Sequence, residues 1–424
     1  MRVIERKLYL EKLKKFKDKQ LIKVITGIRR CGKSTLLELF QDYLKQIGID
    51  EKQIITINFE NPDYKQLKTS EALYDYIKSK LTKGKMNYIF LDEIQNVEKF
   101  EVAVDGLFIN KNVDLYITGS NAYLLSSELA TLLTGRYVEI KMLPLSFKEY
   151  MSALEDKSDL SRKFREYLRY GSFPQTLDLY DIPEEIETYL DGIYTSVLYK
   201  DVIHRKGITD KGILESVVEF LYDNIGNLCS MKKISDTLTS NGRAISNHTV
   251  ENYVDALIDS FMLYKANRFD VKGKDLLKTQ EKYYAVDIGL RYHLLGQKAG
   301  QDMGHILENI VYLELLRRGY KVYVGKLDEL EVDFVAQNSE NIIYYQVALT
   351  TREESTLERE LLPLRKINDN YPKIILTLDD DLDADFEGIK KKNVIDWLLK
   401  SENCNSSRLN CIINCEAFQE SPFT

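Results

Sequence analysis

The sequence has little proline and little cysteine, and it lacks any long apolar run. Seven prolines in 424 residues leave no proline-rich linker, and no stretch is apolar enough over sufficient length to cross a membrane. The five cysteines show no metal-binding spacing in the body of the chain, and the N-terminus lacks the apolar stretch of a signal peptide. We therefore expect a cytoplasmic protein with no membrane partner.

Composition excludes two further extremes. An apolar content of 44% with 29% charged residues excludes wholesale disorder. A length of 424 residues predicts two to four domains. The net charge of -7 is unlike that of a protein that coats nucleic acid, so any contact with DNA must come from a local patch.

The most informative segment lies between an apolar, β-favouring run and a helical pattern. It reads Gly-x-x-x-x-Gly-Lys-Ser at residues 27–34, the spacing of a phosphate-binding loop between a strand and a helix. Gly27 and Gly32 let the backbone curl so that its N–H groups point into one anion-sized hollow. Lys33 can reach the β- and γ-phosphates of a nucleotide, and the Ser34 hydroxyl can bind Mg²⁺. The residues expected to contact the nucleotide are Gly27, Ile28, Arg29, Arg30, Cys31, Gly32, Lys33, Ser34 and Thr35.

A second candidate element is an apolar strand that ends in two carboxylates. Residues 88–91 read Tyr-Ile-Phe-Leu, and Asp92 and Glu93 follow. A strand buried on both faces delivers such residues to the carboxyl edge of a parallel sheet. Beside a phosphate loop, Asp92 is placed to hold Mg²⁺ through its water shell, and Glu93 to polarise the attacking water. A strand that merely ends in acidic turn residues is the alternative.

Two more candidates lie at the ends of later strands. Asn121 follows a strand predicted over residues 113–118, where its side chain could contact the γ-phosphate or the attacking water. It could also cap the helix predicted over residues 122–133. Arg136 precedes a fifth strand at the sheet edge, where it could reach the nucleotide of a neighbouring subunit or form a surface salt bridge. The first role of Arg136 requires a homo-oligomer.

These segments predict an α/β domain over residues 1–143, with a parallel sheet and right-handed crossovers. The sequence lacks the Asn-Lys-x-Asp run with which GTPases read their base, so ATP is the expected nucleotide. Residues 144–208 are helical and predict a lid, whose first helix begins with the capping box of Ser146 and Glu149.

Residues 209–287 predict a winged helix with three helices and two wing strands. In a DNA reader, the third helix would enter the major groove with Asn247, His248 and Asn252. Because Glu251 and Asp255 make this helix partly acidic, packing between domains is the alternative. The cations available to bind phosphates on the wing are Lys265, Arg268, Lys272, Lys274 and Lys278.

Residues 288–400 predict another α/β unit. Glu308 on a helix and Asp333 on a strand are arranged as in nucleases of the PD-(D/E)xK type, in which carboxylates bind Mg²⁺ and a lysine stabilises the scissile phosphate. Gln346 stands where a metal carboxylate is expected, and Ala348 where the lysine is expected. Since neither residue can replace those groups, we predict a restriction-endonuclease-like fold without nuclease activity.

Two stretches near the end of the chain carry no site in this interpretation. The acidic run at residues 379–385 is expected to be a solvated loop rather than a metal site. The tail at residues 401–424 has no periodicity and is expected to be poorly ordered.

Several motifs together resemble the bacterial and archaeal AAA-type ATPases that carry a C-terminal domain of unknown function. The segments that carry the resemblance are residues 27–34, 90–95, 117–121, 135–137 and 144–147. The likeness extends more weakly over residues 167–174 and 305–378. It implies ATP binding and hydrolysis, a winged helix and a nuclease-like terminal domain, and it supplies no biological process.

We expect an Mg²⁺-dependent ATPase that couples nucleotide state to movement of the winged-helix and C-terminal domains, with double-stranded DNA as a candidate partner. One alternative is a nucleotide-switched interaction protein with slow hydrolysis. The other alternative is a DNA nuclease. The expected catalytic residues are Lys33, Glu93, Asn121 and Arg136. At a helix N-terminus, the thiol of Cys31 is expected to have a lowered pKa, so that alkylation is fast and is blocked by ATP.

Overall fold

The computed structural model describes residues 3–122 and 135–400, without the side chains of residues 278 and 279. The helix predicted over residues 122–133 and the tail at 401–424 therefore lie outside the described residues, apart from Ala122. Within the described ranges, no helix combines the length and the apolar character needed to span a bilayer.

A five-stranded parallel sheet forms the first part of the chain, with strand order β2-β3-β4-β1-β5. The strands are β1 Ile22–Thr26, β2 Ile54–Asn58, β3 Asn87–Asp92, β4 Val113–Gly119 and β5 Tyr137–Lys141. The three central strands are buried along their whole length, and the two edge strands are partly exposed. This arrangement confirms the predicted parallel α/β sheet, in which β4 separates the strand before the phosphate loop from the strand that ends at Asp92.

Helices cover both faces of this sheet. They are α1 Lys7–Phe16, α2 Lys33–Gln46, α3 Ser70–Lys80 and α4 Phe100–Phe108. Because side chains alternate along a strand, one face packs Phe90 and Tyr116 against Phe40 of α2. The other face packs Ile89 and its neighbours against the apolar side of α3 and α4. The sheet thus holds the carboxyl ends of β1, β3 and β4 at one rigid edge.

A helical segment follows the sheet. It contains α5 Phe147–Ala153, α6 Leu160–Tyr170 and α7 Pro183–Ser196, and α7 continues without a break into a π-helical segment, Val197–Ile203. The predicted capping box is confirmed, since Ser146 accepts from Glu149 N while Glu149 accepts from Ser146 N. The sequence pattern predicted one regular helix over residues 189–202, and the π turn was not predicted.

Three helices and a long hairpin come next. They are α8 Lys211–Asp223, α9 Met231–Ser240, α10 Asn247–Asp259, β7 Leu263–Asp270 and β8 Asp275–Ala285, with the short strand β6 Leu228–Cys229 before α9. Strand β8 pairs antiparallel with both β6 and β7. The three helices and the two hairpin strands lie close to the positions that the sequence pattern predicted.

The hairpin belongs to a larger sheet. Nine strands follow the order β13-β14-β12-β11-β10-β9-β7-β8-β6, because β7 also pairs parallel with β9. The added strands are β9 Lys321–Leu327, β10 Leu330–Gln337, β11 Ile342–Val347, β12 Lys373–Thr377, β13 Ala384–Phe386 and β14 Ile389–Asn393. The sheet therefore continues across the domain boundary predicted at residue 287, while the predicted boundaries themselves stay predictions.

Four helices complete the described chain. They are α11 Ile288–Leu295, α12 Met303–Arg317, α13 Glu354–Arg365 and α14 Val394–Leu399. Strands β13 and β14 and helices α13 and α14 were not predicted. Pro363 lies inside α13, and β14 is rich in lysine. Neither feature is typical of its element, so the sequence pattern did not predict them.

The acidic run after β12 is only partly the solvated loop that the sequence predicted. Asp380 is exposed, but Asp379 is 4% exposed. Its Oδ2 accepts hydrogen bonds from Thr351 N at 2.9 Å and Thr351 Oγ1 at 3.0 Å, and Lys391 Nζ lies 2.9 Å away. The prediction is wrong for Asp379, because β14 brings Lys391 against it.

Candidate nucleotide site

The turn between β1 and α2 requires glycine at both ends. Gly27 has φ 149°, and a Cβ atom there would lie 2.2 Å from the carbonyl oxygen of Met142. Gly32 has φ 101° and is the N-cap of α2. Side chains are disfavoured at both conformations, so the sequence Gly-x-x-x-x-Gly allows the chain to turn sharply between β1 and the N-terminus of α2.

Lys33 folds back over this phosphate loop. Its ammonium donates to Gly27 O at 3.0 Å and to Ile28 O at 3.2 Å. It also lies 3.6 Å from Glu93 Oε1. The buried cation is thus held between the carbonyls of its own loop and a carboxylate at the end of β3.

Ser34 and Asp92, the two predicted metal-binding residues, are in direct contact. The hydroxyl of Ser34 donates to Asp92 Oδ2 at 2.7 Å, and Asn58 Nδ2 donates to the same oxygen at 2.9 Å. Thr118 Oγ1 donates to the other oxygen. Burial raises the pKa of Asp92, and the hydrogen bonds from Ser34 and Thr118 oppose that rise.

Glu93 has a strained backbone and an ionised side chain. Its φ of 54° and ψ of 48° lie in the left-handed region, which costs a residue other than glycine about 1–3 kcal/mol. Burial acts to raise the pKa of Glu93, but the Lys33 ammonium, the hydrogen bond from Gln95 and the Arg29 guanidinium together outweigh it and lower the pKa. Gln95 Nε2 donates to Glu93 Oε2 and, at 3.3 Å, to Ser120 Oγ. A charged carboxylate is therefore fixed at the loop.

Two amides that follow β3 and β4 have buried atoms without a partner. Asn121 is 2% exposed, and neither its Nδ2 nor its Oδ1 makes a hydrogen bond to the described residues. The Oε1 atom of Gln95 is also buried and unpaired among the described residues. Buried polar groups are almost always paired, so these atoms are candidates to contact a polar ligand.

Arg136 lies at the opposite edge of the sheet. Ile22 N, at the start of β1, donates to Arg136 O at 2.8 Å, whereas the phosphate loop follows the end of β1. The guanidinium pairs with Asp105, which is the salt bridge that the sequence left as an alternative. The structure does not bring Arg136 together with the other candidates of the same chain, and its action on a neighbouring subunit stays a prediction.

The two arginines of the loop have different surroundings. Arg29 makes a two-pronged ion pair with Asp201 in the π-helical segment, with Nε 2.5 Å from Oδ2 and Nη2 3.1 Å from Oδ1. Its Nη1 also lies 3.1 Å from Glu60 Oε1. Arg30 is exposed, with φ 66°. Nothing in the sequence near Asp201 signalled a contact with the loop.

Cys31 does not have the environment that the sequence predicted. Its side chain is 0% exposed, and burial raises the pKa of its thiol. The expected lowering at the N-terminus of α2 is wrong, because the core removes the thiolate from water. Arg6 covers this part of the loop, donating from Nη1 to Cys31 O at 2.8 Å and from Nη2 to Leu143 O at 2.5 Å. No motif in the sequence predicted this role for Arg6.

Several of the predicted DNA-binding cations contact their own chain. Lys265 pairs with Glu281 at 3.3 Å, Lys272 pairs with Asp328 at 2.5 Å, and Arg268 donates to Gln280 at 3.2 Å. Lys274 is exposed, and the side chain of Lys278 lies outside the described residues. At the N-terminus of α10, Asn247, His248 and Asn252 are exposed to solvent, and so is the acidic Glu251, whose carboxylate lies 3.9 Å from His248.

Two family models match successive parts of the chain. A family model described as an AAA domain matches residues 19–151, and a model described as a domain of unknown function (DUF8612) matches residues 161–301. The parallel sheet, the phosphate loop and the matched model identify residues 19–151 as an AAA domain. The second model covers the helical segment and the hairpin rather than the unit after residue 302.

Two curated relatives extend over nearly the whole chain. An uncharacterized protein of Haemophilus influenzae is 46% identical over 402 residues, which are 94% of this chain and 99% of the relative. The uncharacterized protein MJ1544 of Methanocaldococcus jannaschii is 32% identical and covers 88% of this chain and 85% of its own length. The chain belongs to the family of these proteins. Among solved structures, the Walker-type ATPase PABY2304 of Pyrococcus abyssi has a TM-score of 0.48 and 15% identity, covering 69% of this chain and 96% of its own.

Proposed function

We propose that the protein hydrolyses ATP with Mg²⁺ at the phosphate loop and passes the nucleotide state to the helical segment and nine-stranded sheet. The observation that carries the hydrolysis is the buried carboxylate of Glu93, which lies 3.6 Å from the Lys33 ammonium of the phosphate loop and accepts a hydrogen bond from Gln95. A carboxylate with a lowered pKa beside a phosphate-binding loop is suited to accept a proton from a water molecule.

The residues present fit the nucleotide and the metal ion. The glycine cradle leaves room for phosphate oxygens, and the N–H groups at the start of α2 can bind them together with Lys33. Ser34 and Asp92 supply the hard oxygen ligands that Mg²⁺ prefers. When bound, the metal ion neutralises charge on the phosphates.

The chain's own residues would divide the remaining work. Glu93 would accept a hydrogen bond from the attacking water and take its proton as the water oxygen bonds to the γ-phosphorus. The bond from that phosphorus to the bridging oxygen breaks at the same time, and ADP leaves with the electron pair. Gln95 orients the carboxylate of Glu93 through Oε2. Asn121 supplies a donor and an acceptor to the water or the transferring phosphoryl group. The Lys33 ammonium, which donates to two carbonyls of the loop, would exchange these contacts for phosphate oxygens.

The contact between Arg29 and Asp201 supports the coupling. Arg29 lies within the loop that receives the phosphates, and Asp201 belongs to a π-helical segment. Such segments are frequent at functional sites. A phosphate that attracts Arg29 competes with Asp201, so nucleotide binding would release the π-helical segment from the loop.

The test compares two variants of the site with one control. Lys33→Ala should abolish binding of a fluorescent ATP analogue. Glu93→Gln should keep binding but reduce turnover by about 10²–10⁴-fold. The control is Glu98→Gln, an exposed carboxylate five positions along the chain, which should behave as wild type. Undiminished hydrolysis in Glu93→Gln would remove Glu93 from the mechanism.

Double-stranded DNA is the second part of the proposal. Helices α8–α10 with the β6–β8 strands follow the order of a winged helix, and α10 exposes Asn247, His248 and Asn252 at its N-terminus. Retention of duplex DNA should fall steeply with salt and should weaken when these three residues are replaced by alanine. If ATP is hydrolysed and no duplex is retained at low salt, the alternative of a nucleotide-switched protein-interaction module is favoured.

A further inference from the structure

A lysine is buried among carboxylates where β8, β10 and α12 meet. Lys282 on β8 is 4% exposed. Its ammonium lies 3.0 Å from Glu308 Oε1 on α12 and 2.7 Å from Glu331 Oε1 on β10. The hydroxyl of Tyr284 donates to the same Glu308 oxygen at 2.6 Å. Lys282 lies in the segment predicted as a wing strand, far in sequence from the motif to which Glu308 was assigned.

The polar side chains of Asp333 and Gln346, near Lys282, also make hydrogen bonds within the chain. Asp333 Oδ2 accepts from Val347 N at 2.8 Å, and Asp333 N donates to Gln346 Oε1 at 2.8 Å. The other end of Gln346 donates to Glu360 Oε2 at 3.0 Å. Gln346 therefore ties β10 and β11 to α13 instead of serving as a metal ligand.

Mg²⁺ does not fit this pocket. Glu308 gives one oxygen to an ammonium and a phenol, and Asp333 gives one oxygen to the main chain. Across residues 3–122 and 135–400, no group of three or more His, Cys, Asp or Glu side chains is placed to hold a metal ion. A divalent ion also requires several oxygen ligands free of competing cations.

The buried carboxylates nevertheless require a positive charge. Burial acts to lower the pKa of Lys282, but Glu308, Asp333 and Glu331 outweigh it and raise the pKa, so the lysine carries its charge. We propose that Lys282 is an internal cation that takes the place of Mg²⁺ in the C-terminal unit and joins β8, β10 and α12 without any metal. The buried ion pairs of Lys282 then stabilise the contact between the hairpin and the C-terminal unit. This inference does not depend on ATP hydrolysis.

The experiment uses Tb³⁺, whose emission is excited by a nearby tyrosine such as Tyr284. In the wild type, we expect no Tb³⁺ emission that depends on Glu308. Lys282→Met removes the ammonium at similar volume and should acquire such emission, together with an upward shift of the melting temperature in Mn²⁺. The double variant Lys282→Met/Glu308→Gln should lose both gains, which separates this pocket from the nucleotide site.

The matched control is Lys265→Met, which removes an exposed ammonium from the adjacent strand β7. It should leave stability and Tb³⁺ emission as in the wild type. Lys282→Met without metal should lose about 10²–10³-fold in the folding equilibrium constant, since an unpaired buried charge remains.

Three results would overturn the proposal. The first is emission from wild-type protein that Glu308→Gln abolishes, because the pocket would then bind metal with Lys282 in place. The second is Mg²⁺-dependent cleavage of DNA by the wild type that Asp333→Ala abolishes. The third is a folded Lys282→Met that binds no cation. If Lys282→Met folds only with Mn²⁺, the proposal is supported, and if it never folds, the wild-type measurements decide.

Discussion

Gln95 is two residues from Glu93 in sequence, and its side chain contacts both that carboxylate and Ser120 at the end of β4. The strained backbone at Glu93 makes such a contact useful, because the carboxylate has no regular secondary structure to hold it. Gln95 is in this sense a positioning residue. Its unpaired Oε1 adds an acceptor on the same side.

We expect Gln95→Ala to lower kcat about 10- to 100-fold with little change in KM, as one hydrogen bond to a charged carboxylate is worth about 1.5–3 kcal/mol. Gln95→Glu places a second carboxylate beside Glu93, which disfavours the charged form and raises the pKa of Glu93. The acid limb of the pH–rate profile should therefore move to higher pH. Steady-state kinetics across pH measure both effects, and an unchanged profile in Gln95→Glu would count against the contact.

Cys31 should be unreactive in the folded protein. Its thiol is buried and has a raised pKa, so the thiolate is scarce at neutral pH and cannot meet a reagent. Peptide mapping after alkylation should find Cys31 unlabelled with or without ATP, and labelled only in denaturant. The buried Cys229 serves as the internal reference. Rapid labelling of Cys31 that ATP prevents would restore the environment predicted from sequence.

Single residues could be predicted from sequence where they belong to a short motif next to a recognisable strand. The residues of the phosphate loop and the Asp92–Glu93 pair could be named because each motif lies at the end of a recognisable strand. Arg6 and Asp201 could not, since they reach the loop across 25 and 172 positions of sequence. Arg136 lies away from the phosphate loop of its own chain because a residue that precedes a parallel strand lies at the amino edge of the sheet, and its action on a neighbouring subunit stays a prediction.

Among the elements after the parallel sheet, the π-helical segment that follows α7 contacts the phosphate loop through Asp201. Its pair with Arg29 is two-pronged and largely buried on the Asp201 side, and Arg29 has a second, exposed partner in Glu60. The two partners allow a matched test, since both are carboxylates on the same guanidinium.

We expect Asp201→Asn to tighten ATP binding about 3- to 10-fold, because the nucleotide no longer competes with a charged partner for Arg29. Glu60→Gln should change the affinity less, since an exposed pair contributes about 0–1 kcal/mol. Titration with a fluorescent ATP analogue measures both. Equal or weaker affinity in Asp201→Asn would show that Arg29 keeps its partner when nucleotide binds.

Elements with a strong apolar period could be predicted closely, as α2 shows by ending at Gln46. Elements stabilised by distant packing could not. Strand β14 is rich in lysine and exists because it pairs with β12 and β13. Helix α13 contains a proline that a local reading takes as a break.

For the molecule as a whole, the main feature is the sheet that joins the hairpin to the C-terminal strands. Strand β7 pairs on one side with β8 and on the other with β9. Further ties come from α12, where Arg317 Nη2 donates to Pro144 O at 3.0 Å and Arg318 stacks on Trp397 at 3.9 Å.

A chain that ends at the predicted boundary, residue 287, should therefore not fold into a stable monomer. It would expose one edge of β7, and exposed edge strands pair with other chains. We expect aggregation or loss of cooperative unfolding, measured by gel filtration and urea denaturation. A chain of residues 1–400 keeps every contact described above and is the control. A monomeric 1–287 fragment with a sharp transition would support the predicted boundary.

The π-helical segment also affects which way the side chains after it point around the helix axis. Each residue of a helix turns the chain by about 100° and advances it by about 1.5 Å. Removing one residue between Val197 and Asp201 would turn the later residues of this helix by about 100°. The Asp201 carboxylate would then leave the side of the helix that contacts Arg29. The number of residues before Asp201 therefore determines whether the helical segment can pair with the phosphate loop.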